Sequence, residues 1–291
     1  MSLVTAIVVT SDSAEVLPDC LDALNAAGVP VVLVDNASTD GSAEIAAELG
    51  AKVIHNRRNE GYGRAANAGA RAASSEFLLV LHSDVVVEPG AVAALLAAAR
   101  LYPESGFFAP RVVEASGRVA FEPRSLLAPY LKNPAGILVL PEGDACVPHA
   151  SGACFLVKRD LLLRLGGFDE RIVLFFEDED LCRRIADASP SLIYVPSASV
   201  RHAAPAVKPG KAFRRSWHRA WSHAHVSRKY HLPNPAPGIA ARETLKAIGA
   251  ALTFRRIRVE RHGGAAAGAW AFLMRRTALA REGLAEPETR R

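Results

Sequence analysis

A run of four acidic residues, in the stretch "FFEDEDLCRR", is the part of this sequence best suited to chemistry. The run Glu177–Asp180 follows two phenylalanines and begins a segment with helical spacing. A helix dipole favours acids in the first turn, so capping accounts for one or two of them. Four crowded carboxylates repel one another, which predicts that at least one pKa is raised toward that of a useful general base.

Two further polar groups lie where apolar runs end. "VDNASTDGS" places Asp35 and Asn36 after one run, and Asp35 could accept hydrogen bonds from a nucleotide base. Helix capping is the alternative, and it explains Asp40 better than Asp35. "LLVLHSDVVVEPG" places Asp84 after another run, where a hard divalent ion would need carboxylate oxygens. His82 is a further candidate ligand, although a lone histidine is also common as a packing residue.

The segment "GYGRAA", from Gly61 to Ala66, matches the dinucleotide-binding pattern G-x-G-x-x-G/A. Such a loop normally follows the first strand directly, but here "HNRRNE" intervenes and two strand–helix units come earlier. Three interpretations stay open at this point. The segment could bind NAD, it could form a tight turn for helix packing, or it could bind a diphosphate with arginines such as Arg64.

Apolar runs and helical patterns alternate four times in the first hundred residues, which predicts a parallel α/β sheet. Ligands bind such sheets beyond the carboxyl ends of the strands, where the polar groups above lie. Two local predictions complete the pattern. "EPGAVAALLAAARLYP" is expected to be a helix with Pro89 in its first turn, and "SLIYVPSASVRH" a pair of strands.

Charged residues are distributed unevenly along the 291-residue chain. Residues 1–200 contain 16 Lys/Arg and 25 Asp/Glu, whereas residues 201–291 contain 19 and 5, a net charge of +14. This asymmetry predicts a polyanionic partner for the tail, either nucleic acid or an anionic membrane. No nucleic-acid-binding motif is recognised, so we expect no nucleic-acid partner.

Three features predict a cytoplasmic protein. The four cysteines form no C-x-x-C pair and mostly lie among apolar residues, so we expect reduced, buried thiols. The N-terminus lacks a basic region and is expected to be a strand, not a signal peptide. No stretch reaches the ~18 apolar residues that cross a bilayer.

Taken in order, six stretches resemble inverting family-2 glycosyltransferases of the GT-A fold, especially the rhamnosyltransferase-like branch. The resemblance covers about residues 4–202 and is carried by "VVTSDSAEVLPDCLDAL", "VVLVDNASTDGSAEIA", "NEGYGRAANAGARAA", "FLLVLHSDVVVEPGAV", "SGACFLVKRDLLLRLGGFDERIVLFFEDEDLCRRI" and "VRH". It implies a Rossmann-like, mostly parallel central sheet flanked by helices. We expect this catalytic domain at residues 1–205 and a basic helical extension at 206–291.

The resemblance also implies roles for individual residues. Asp178, within Glu177-Asp178, matches the catalytic base. Asp84 and His202 match metal ligands for Mg²⁺ or Mn²⁺. His82 stands where the family has the first acid of a D-x-D motif, so this departure predicts a lower metal affinity. The implied donor-binding residues are Thr10, Asp12, Asp35, Asn36, Gly61, Gly63, Arg64, Asn67 and Ser83.

The implied reaction moves a sugar, with inversion, from a nucleotide-diphosphate donor such as dTDP-rhamnose or a UDP-sugar. The acceptor is a hydroxyl of a glycan or of a lipid-diphosphate-linked glycan in cell-envelope polysaccharide synthesis. A non-catalytic nucleotide-sugar binder and, less so, an NAD-binding protein remain the alternatives. The basic tail is expected to reach the inner face of an anionic membrane. Its apolar contacts there would come from Trp270, Phe272, Leu273 and Met274 and from the apolar stripe Phe213, Trp217, Trp221 and Ala224. Packing of this stripe on the catalytic domain is the alternative.

Overall fold

The computed structural model describes residues 2–121, 125–127, 140–189, 191–203 and 212–282. The chain divides into two compact units. The first comprises Met1–Phe168 and Asp178–Pro205, and the second comprises Asp169–Glu177 and Ala206–Arg291. The loop Asp169–Glu177 therefore belongs with the tail, a division that the sequence analysis did not make.

The first half of the first unit is a parallel sheet, as the alternating pattern predicts. Its four strands lie in the order β3-β2-β1-β4, and all of their pairings are parallel. Every residue of the two central strands is buried, which explains their continuous apolar runs. The elements are β1 (Val4–Thr10), α1 (Leu17–Ala26), β2 (Val31–Asp35), α2 (Ser42–Glu48), β3 (Lys52–His55), α3 (Tyr62–Ala72) and β4 (Phe77–His82).

The second half of the sheet is mixed. The elements are β5 (Val85–Val87), α4 (Ala91–Leu101), β6 (Phe107–Glu114), β7 (Ala145–Val147), β8 (Cys154–Lys158), α5 (Arg159–Arg164), α6 (Glu177–Ala188) and β9 (Leu192–His202). From β4 the order continues β8-β6-β9-β5, and β7 pairs with β9. Strand β8 is antiparallel to β4 and β6, while β6 and β9 are parallel. Apolar clusters cover both faces of the sheet, so polar groups are left at its edges.

Three local predictions were wrong. Helix α4 begins at Ala91 after Gly90, whose φ of 83° is left-handed, so Pro89 lies before the first turn. The stretch predicted as two strands is the single strand β9, because its pairing with β6 continues through a register shift at Pro110. Three of the four cysteines are buried as predicted, but Cys146 is exposed.

The second unit is helical, with α7 (Ala212–Lys229), α8 (Ala236–Leu252), α9 (Arg256–Leu273) and α10 (Ala278–Arg281). The predicted apolar stripe of α7 packs inside this unit, where Trp217 and Trp221 are buried in a cluster with Phe272. Gly268 lets α9 approach the backbone of α7 closely, because a side chain there would meet the carbonyl of Trp217. Of the predicted membrane contacts on α9 and just beyond it, Trp270 and Met274 are exposed.

Candidate active site

The register of the parallel strands brings the predicted polar residues to one edge of the sheet. Thr10 lies opposite Asp35, and Asp35 lies opposite His55. On the other side of β1, His82 pairs with Val9, one position from Thr10. Four neighbouring strands therefore end in a row of polar side chains, at the carboxyl edge where α/β sheets bind ligands.

Asp35 and Thr10 form the most buried part of this row. The Asp35 carboxylate accepts a hydrogen bond from the backbone N–H of Ser38 at 3.1 Å, and its other oxygen lies 3.7 Å from Nδ1 of His55. The buried hydroxyl of Thr10 makes no hydrogen bond within the described part of the chain. Because buried hydroxyls usually have partners, this group is suited to contact a ligand.

Asp12 and Ser83 border the same edge through contacts with neighbouring loops. Asp12 has a left-handed φ of 52°, and its Oδ1 accepts a hydrogen bond of 2.9 Å from the N–H of Thr39. Ser83 is buried, and its hydroxyl donates to Oγ of Ser13 at 3.0 Å. Both residues therefore connect the loops that follow neighbouring strands.

Asn36 is turned inward to position the glycine segment. Its Oδ1 accepts hydrogen bonds from the N–H of Glu60 at 2.9 Å and from Asn56 at 3.0 Å. Its Nδ2 donates to the carbonyl of Gly61 and to Oδ1 of Asn59, both at 3.2 Å. Asn36 thus orders the loop before α3 through four hydrogen bonds.

The glycine segment begins α3 and is packed tightly. Gly61 has φ 87° and ψ 163°, a conformation that essentially only glycine adopts. A Cβ atom on Gly63 would lie 2.8 Å from that of Phe168. Asn67 is buried and binds the same residue, accepting from the N–H of Phe168 at 2.8 Å and donating to its carbonyl at 3.0 Å. Arg64 is half-buried in the first turn of the helix.

Three residues could hold a divalent metal ion. His82, Asp84 and His202 each offer one ligand atom, and these atoms lie within 4.8 Å of one another. Oδ1 of Asp84 is 3.2 Å from Nε2 of His202 and 3.9 Å from Nδ1 of His82. One carboxylate oxygen and two imidazole nitrogens suit Mn²⁺ and related ions, so the residues present fit such a metal.

The electrostatics of this cluster keep the aspartate ionised. Burial would raise the pKa of Asp84, but the hydrogen bond and charge of His202 and the charge of His82 lower it below its usual value. The pKa of His202 is raised by its hydrogen bond with Asp84, whereas burial lowers that of His82. His82 is therefore favoured in the neutral form that binds metals.

Asp178 lies at the start of α6, where two backbone amides orient its carboxylate. Oδ2 accepts from the N–H of Gly152 at 3.2 Å, and Oδ1 from the N–H of Glu179 at 2.9 Å. Nε2 of His149 lies 3.6 Å from Oδ2. Burial would raise the pKa of Asp178, but His149 and the two amides hold it below its usual value.

The prediction of a raised carboxyl pKa in the acidic run was therefore wrong for Asp178. Asp178, Glu179 and Asp180 do not crowd, because their side chains have different partners. Glu179 accepts from the hydroxyl of Ser125 at 2.8 Å, and Asp180 is fully buried against Arg184 at 2.8 Å. Asp180 is thus a buried ion-pair residue rather than the helix cap that its position in the sequence indicated. Glu177 is half-buried at the first position of α6.

Sequence reasoning missed His149 and Tyr62. The hydroxyl of Tyr62 donates to the carbonyl of Gly152 at 3.2 Å, and its ring packs edge-on against His82 at 4.7 Å. His149 lies two positions before "SGAC", but nothing in the local pattern relates it to Asp178, 29 positions later. Tyr62 lies between the two glycines of "GYGRAA", at a position that the glycine pattern leaves unspecified.

Comparison with known proteins identifies the family. The family model described as Glycosyl transferase family 2 matches residues 5–166. An N-acetylglucosaminyl-diphospho-decaprenol L-rhamnosyltransferase of Mycobacterium tuberculosis is 32% identical over 203 residues. The match covers 60% of this chain and 66% of that protein, just under two thirds of its length. A pre-mycofactocin glycosyltransferase of the same species is 27% identical over 183 residues, 60% of this chain and 37% of that protein.

Solved structures support the fold. A mannosyltransferase of Pyrobaculum calidifontis in complex with GDP-Man and Mn²⁺ aligns with a TM-score of 0.58 and 22% identity, over 93% of this chain and 87% of that one. S. aureus TarS 1–349 in complex with UDP aligns with a TM-score of 0.58 and 16% identity, over 94% and 92%. These likenesses confirm the GT-A fold. The family match over more than half of the sequence shows that this chain belongs to glycosyl transferase family 2.

Proposed function

We propose that the chain transfers a sugar, with inversion, from a nucleotide-diphosphate donor to a hydroxyl of a lipid-diphosphate-linked glycan. The observation that carries the proposal is one sheet edge with three sets of residues along it. These are the buried Asp35 and Thr10, the His82–Asp84–His202 cluster, and the contacts that lead from His82 through Tyr62 and Gly152 to Asp178. The related rhamnosyltransferase supports a role in cell-envelope polysaccharide synthesis, with dTDP-rhamnose or a UDP-sugar as donor.

The first unit supplies the donor site in this proposal. Asp35 and Thr10 contact the nucleoside, and Asp12 and Ser83 border this nucleoside site. Gly61, Gly63 and Arg64 face the diphosphate, while Asn36 and Asn67 act through the loop and the Phe168 backbone that they position. His82, Asp84 and His202 would hold Mg²⁺ or Mn²⁺, and the ion would supply positive charge that stabilises the leaving diphosphate.

Asp178 acts as the general base. Its carboxylate accepts the proton of the acceptor hydroxyl as that oxygen bonds to the anomeric carbon and the bond from this carbon to the diphosphate breaks. A lowered pKa keeps the carboxylate ionised before the reaction, and the two backbone amides fix its direction. Glu177 is adjacent in the chain and is the second candidate for this role.

A product assay tests the proposal. The full chain is incubated with Mn²⁺, an N-acetylglucosaminyl-diphospho-polyprenol and either dTDP-rhamnose or UDP-sugars, and the lipid is analysed by mass spectrometry. We expect one added sugar of inverted anomeric configuration and an equal amount of free nucleotide diphosphate. Donor binding without any transfer across the panel would favour the non-catalytic nucleotide-sugar binder, which the unusual His82 makes the second candidate.

We propose that the second unit docks peripherally on the inner face of an anionic membrane. Large apolar side chains at the end of α8 and the start of α9 are more than half exposed, namely Leu245, Ile248, Leu252, Phe254 and Ile257. We call this set the apolar tip. Arg255 and Arg258 are exposed among them, and basic residues beside exposed apolar ones suit an anionic bilayer interface. Among the described residues, no helix is both long and apolar enough to span a membrane.

Sedimentation with vesicles tests this docking. The double substitution Leu252→Asp with Phe254→Asp should weaken binding to anionic phospholipid vesicles about tenfold or more, because burying each side chain contributes about 1.5–3 kcal/mol. Leu101→Asp, at an exposed apolar residue of α4, is the matched control and should have no effect. Equal sedimentation of the double variant and the intact chain would show that the apolar tip does not bind the membrane.

A further inference from the structure

The second unit contains a cavity of about 1190 Å³ lined by residues of α7, α8, α9 and the loop Asp169–Glu177. Pockets for small molecules commonly measure about 300–1,000 Å³, so this one has room for a charged group and a chain attached to it. Its lining combines cationic side chains with apolar ones, among them Arg215, Arg219, Phe175, Ile239 and Ile257.

Two arginines of this lining share one aromatic ring. Arg215 and Arg219 are one helical turn apart on α7, and their guanidinium groups lie 5.0 and 4.3 Å from the ring centre of Phe175. Like charges at this spacing destabilise a helix. Burial and the charge of Arg219 lower the pKa of Arg215. The two groups thus concentrate positive charge at one place.

Within the described residues, neither arginine has a carboxylate partner, although acids line the same cavity. Glu243 is paired with Arg242, Lys246 and His262 instead. Glu260 lies 3.4 Å from Arg256. The positive charge of the Arg215–Arg219 pair is therefore available to an anion from outside.

Phe175, whose ring contacts both arginines, has an unfavourable backbone conformation. Phe175 and Phe176 have φ values of 66° and 67°, which bulky residues rarely adopt. Contacts with α7 maintain it, since the hydroxyl of Ser222 donates to the carbonyl of Leu174 at 2.9 Å and His223 stacks on Phe176 at 5.2 Å. Such strain persists where surrounding structure determines it and is concentrated at binding sites.

The cavity also leads to apolar surface. Ile257 both lines the cavity and belongs to the exposed apolar tip, and Ile239 of α8 adds a further aliphatic wall. A ligand with an anionic head at the arginines could therefore extend an apolar chain past Ile257. A soluble anion such as pyrophosphate would make no use of this surface.

We propose that Arg215 and Arg219 bind the diphosphate of an isoprenoid diphosphate, with its first isoprene units lying along Ile239 and Ile257. Paired guanidinium groups bind phosphate oxygens through charge-assisted, often bidentate hydrogen bonds. The inference rests on the proposed function, for which it names the site that holds the lipid carrier of the acceptor.

Binding of farnesyl diphosphate to the full chain, measured by calorimetry without membranes, tests the site. The double variant R215Q/R219Q should bind at least tenfold more weakly, while R275Q/R276Q, which removes the same charge from exposed positions outside this cavity, should stay within twofold. Inorganic pyrophosphate should bind more weakly than farnesyl diphosphate, and farnesol should not bind. Equal affinity of both double variants, or equal affinity for pyrophosphate and farnesyl diphosphate, would overturn the proposal.

Ile257→Gln, which removes apolar surface without adding charge, keeps the test decisive if the double variant does not fold, because this side chain is exposed and its replacement leaves the core intact. It should weaken farnesyl diphosphate binding and leave pyrophosphate binding unchanged; unchanged farnesyl diphosphate binding would contradict the site. With a lipid-linked acceptor, R215Q/R219Q should raise KM for the lipid about tenfold and leave donor KM unchanged, and a change in donor KM alone would assign the pair to the donor. Wild-type binding without sugar transfer would refute the proposed function and leave this site standing.

Discussion

Two carboxylate–imidazole pairs of the first unit, Asp84–His202 and Asp178–His149, differ in what else surrounds the carboxylate. Asp84 and His202 approach to 3.2 Å, and Asp178 and His149 to 3.6 Å. Both aspartates have lowered pKa values. Asp84 faces a second imidazole, from His82, whereas the oxygens of Asp178 accept hydrogen bonds from two backbone amides of other residues.

This difference separates two kinds of chemistry. Three ligand atoms around one point, such as those at Asp84, could share a cation. A carboxylate oriented by amides, with one imidazole beside it, has its direction fixed and remains ionised, which suits a proton acceptor. In the proposed function, the same pair of residue types would therefore serve metal binding in one place and general-base catalysis in the other, according to the neighbours that the fold provides.

The largest effect should come from removing the base. Asp178→Asn keeps the shape of the side chain but cannot take the proton, so kcat should fall by about 10²–10⁴-fold while donor binding is nearly unchanged. Turnover and calorimetric donor binding measure the two quantities. Glu177→Gln is the neighbouring control, and if that variant loses activity while Asp178→Asn keeps more than a few per cent, the base is Glu177.

Asp84→Asn should act through the metal instead. Losing the charged ligand should weaken Mn²⁺ affinity and metal-dependent donor binding by about 10–100-fold, the range found for disturbed metal sites. Titration of donor binding against Mn²⁺ measures the change, and excess Mn²⁺ should restore part of it. Full wild-type activity in excess chelator would show that basic residues, not a metal, stabilise the diphosphate.

His149→Gln should have a smaller effect, with a specific dependence on pH. The imidazole helps to lower the pKa of Asp178, so the variant should have a higher pKa there. Protonation of the base inactivates the enzyme, so the acid limb of the pH profile of kcat/KM should move to higher pH. The loss should be about tenfold on the acid limb for a shift of one pH unit and small near neutral pH, where the carboxylate is ionised in both proteins. An acid limb at the wild-type position would mean that His149 does not act through Asp178.

The smallest effect on turnover should come from Asp180→Asn, which changes the last of the four acids that begin α6. Asp180 contacts Arg184, which also donates to the carbonyls of Leu165 and Gly167. Weakening this buried ion pair should lower the free energy of unfolding by about 1–3 kcal/mol, measured by urea denaturation. A large fall in kcat without a loss of stability would place Asp180 in the chemistry.

The sequence alone predicted much of the first unit. Alternating apolar runs and helical patterns indicate burial directly, so the parallel strands β1 to β4 and the polar row at their carboxyl edge followed from local spacing. The resemblance of six ordered stretches predicted the family, and the family match confirms it. Asp84 and His202 were predicted as partners from that resemblance, and the structure places them 3.2 Å apart.

Only the tertiary structure decided which polar groups face a ligand and which hold the fold. Asn36 and Asn67 were predicted to contact the donor, but their side-chain amides bind the protein backbone instead. Asn36 accepts from the N–H of Glu60, 24 positions away, and Asn67 from that of Phe168, 101 positions away. The acids of α6 diverge because their partners come from distant segments, and His149 meets Asp178 for the same reason. Local spacing reports how deeply a residue is buried, whereas the partner of a buried polar group depends on long-range contacts that only the folded chain creates.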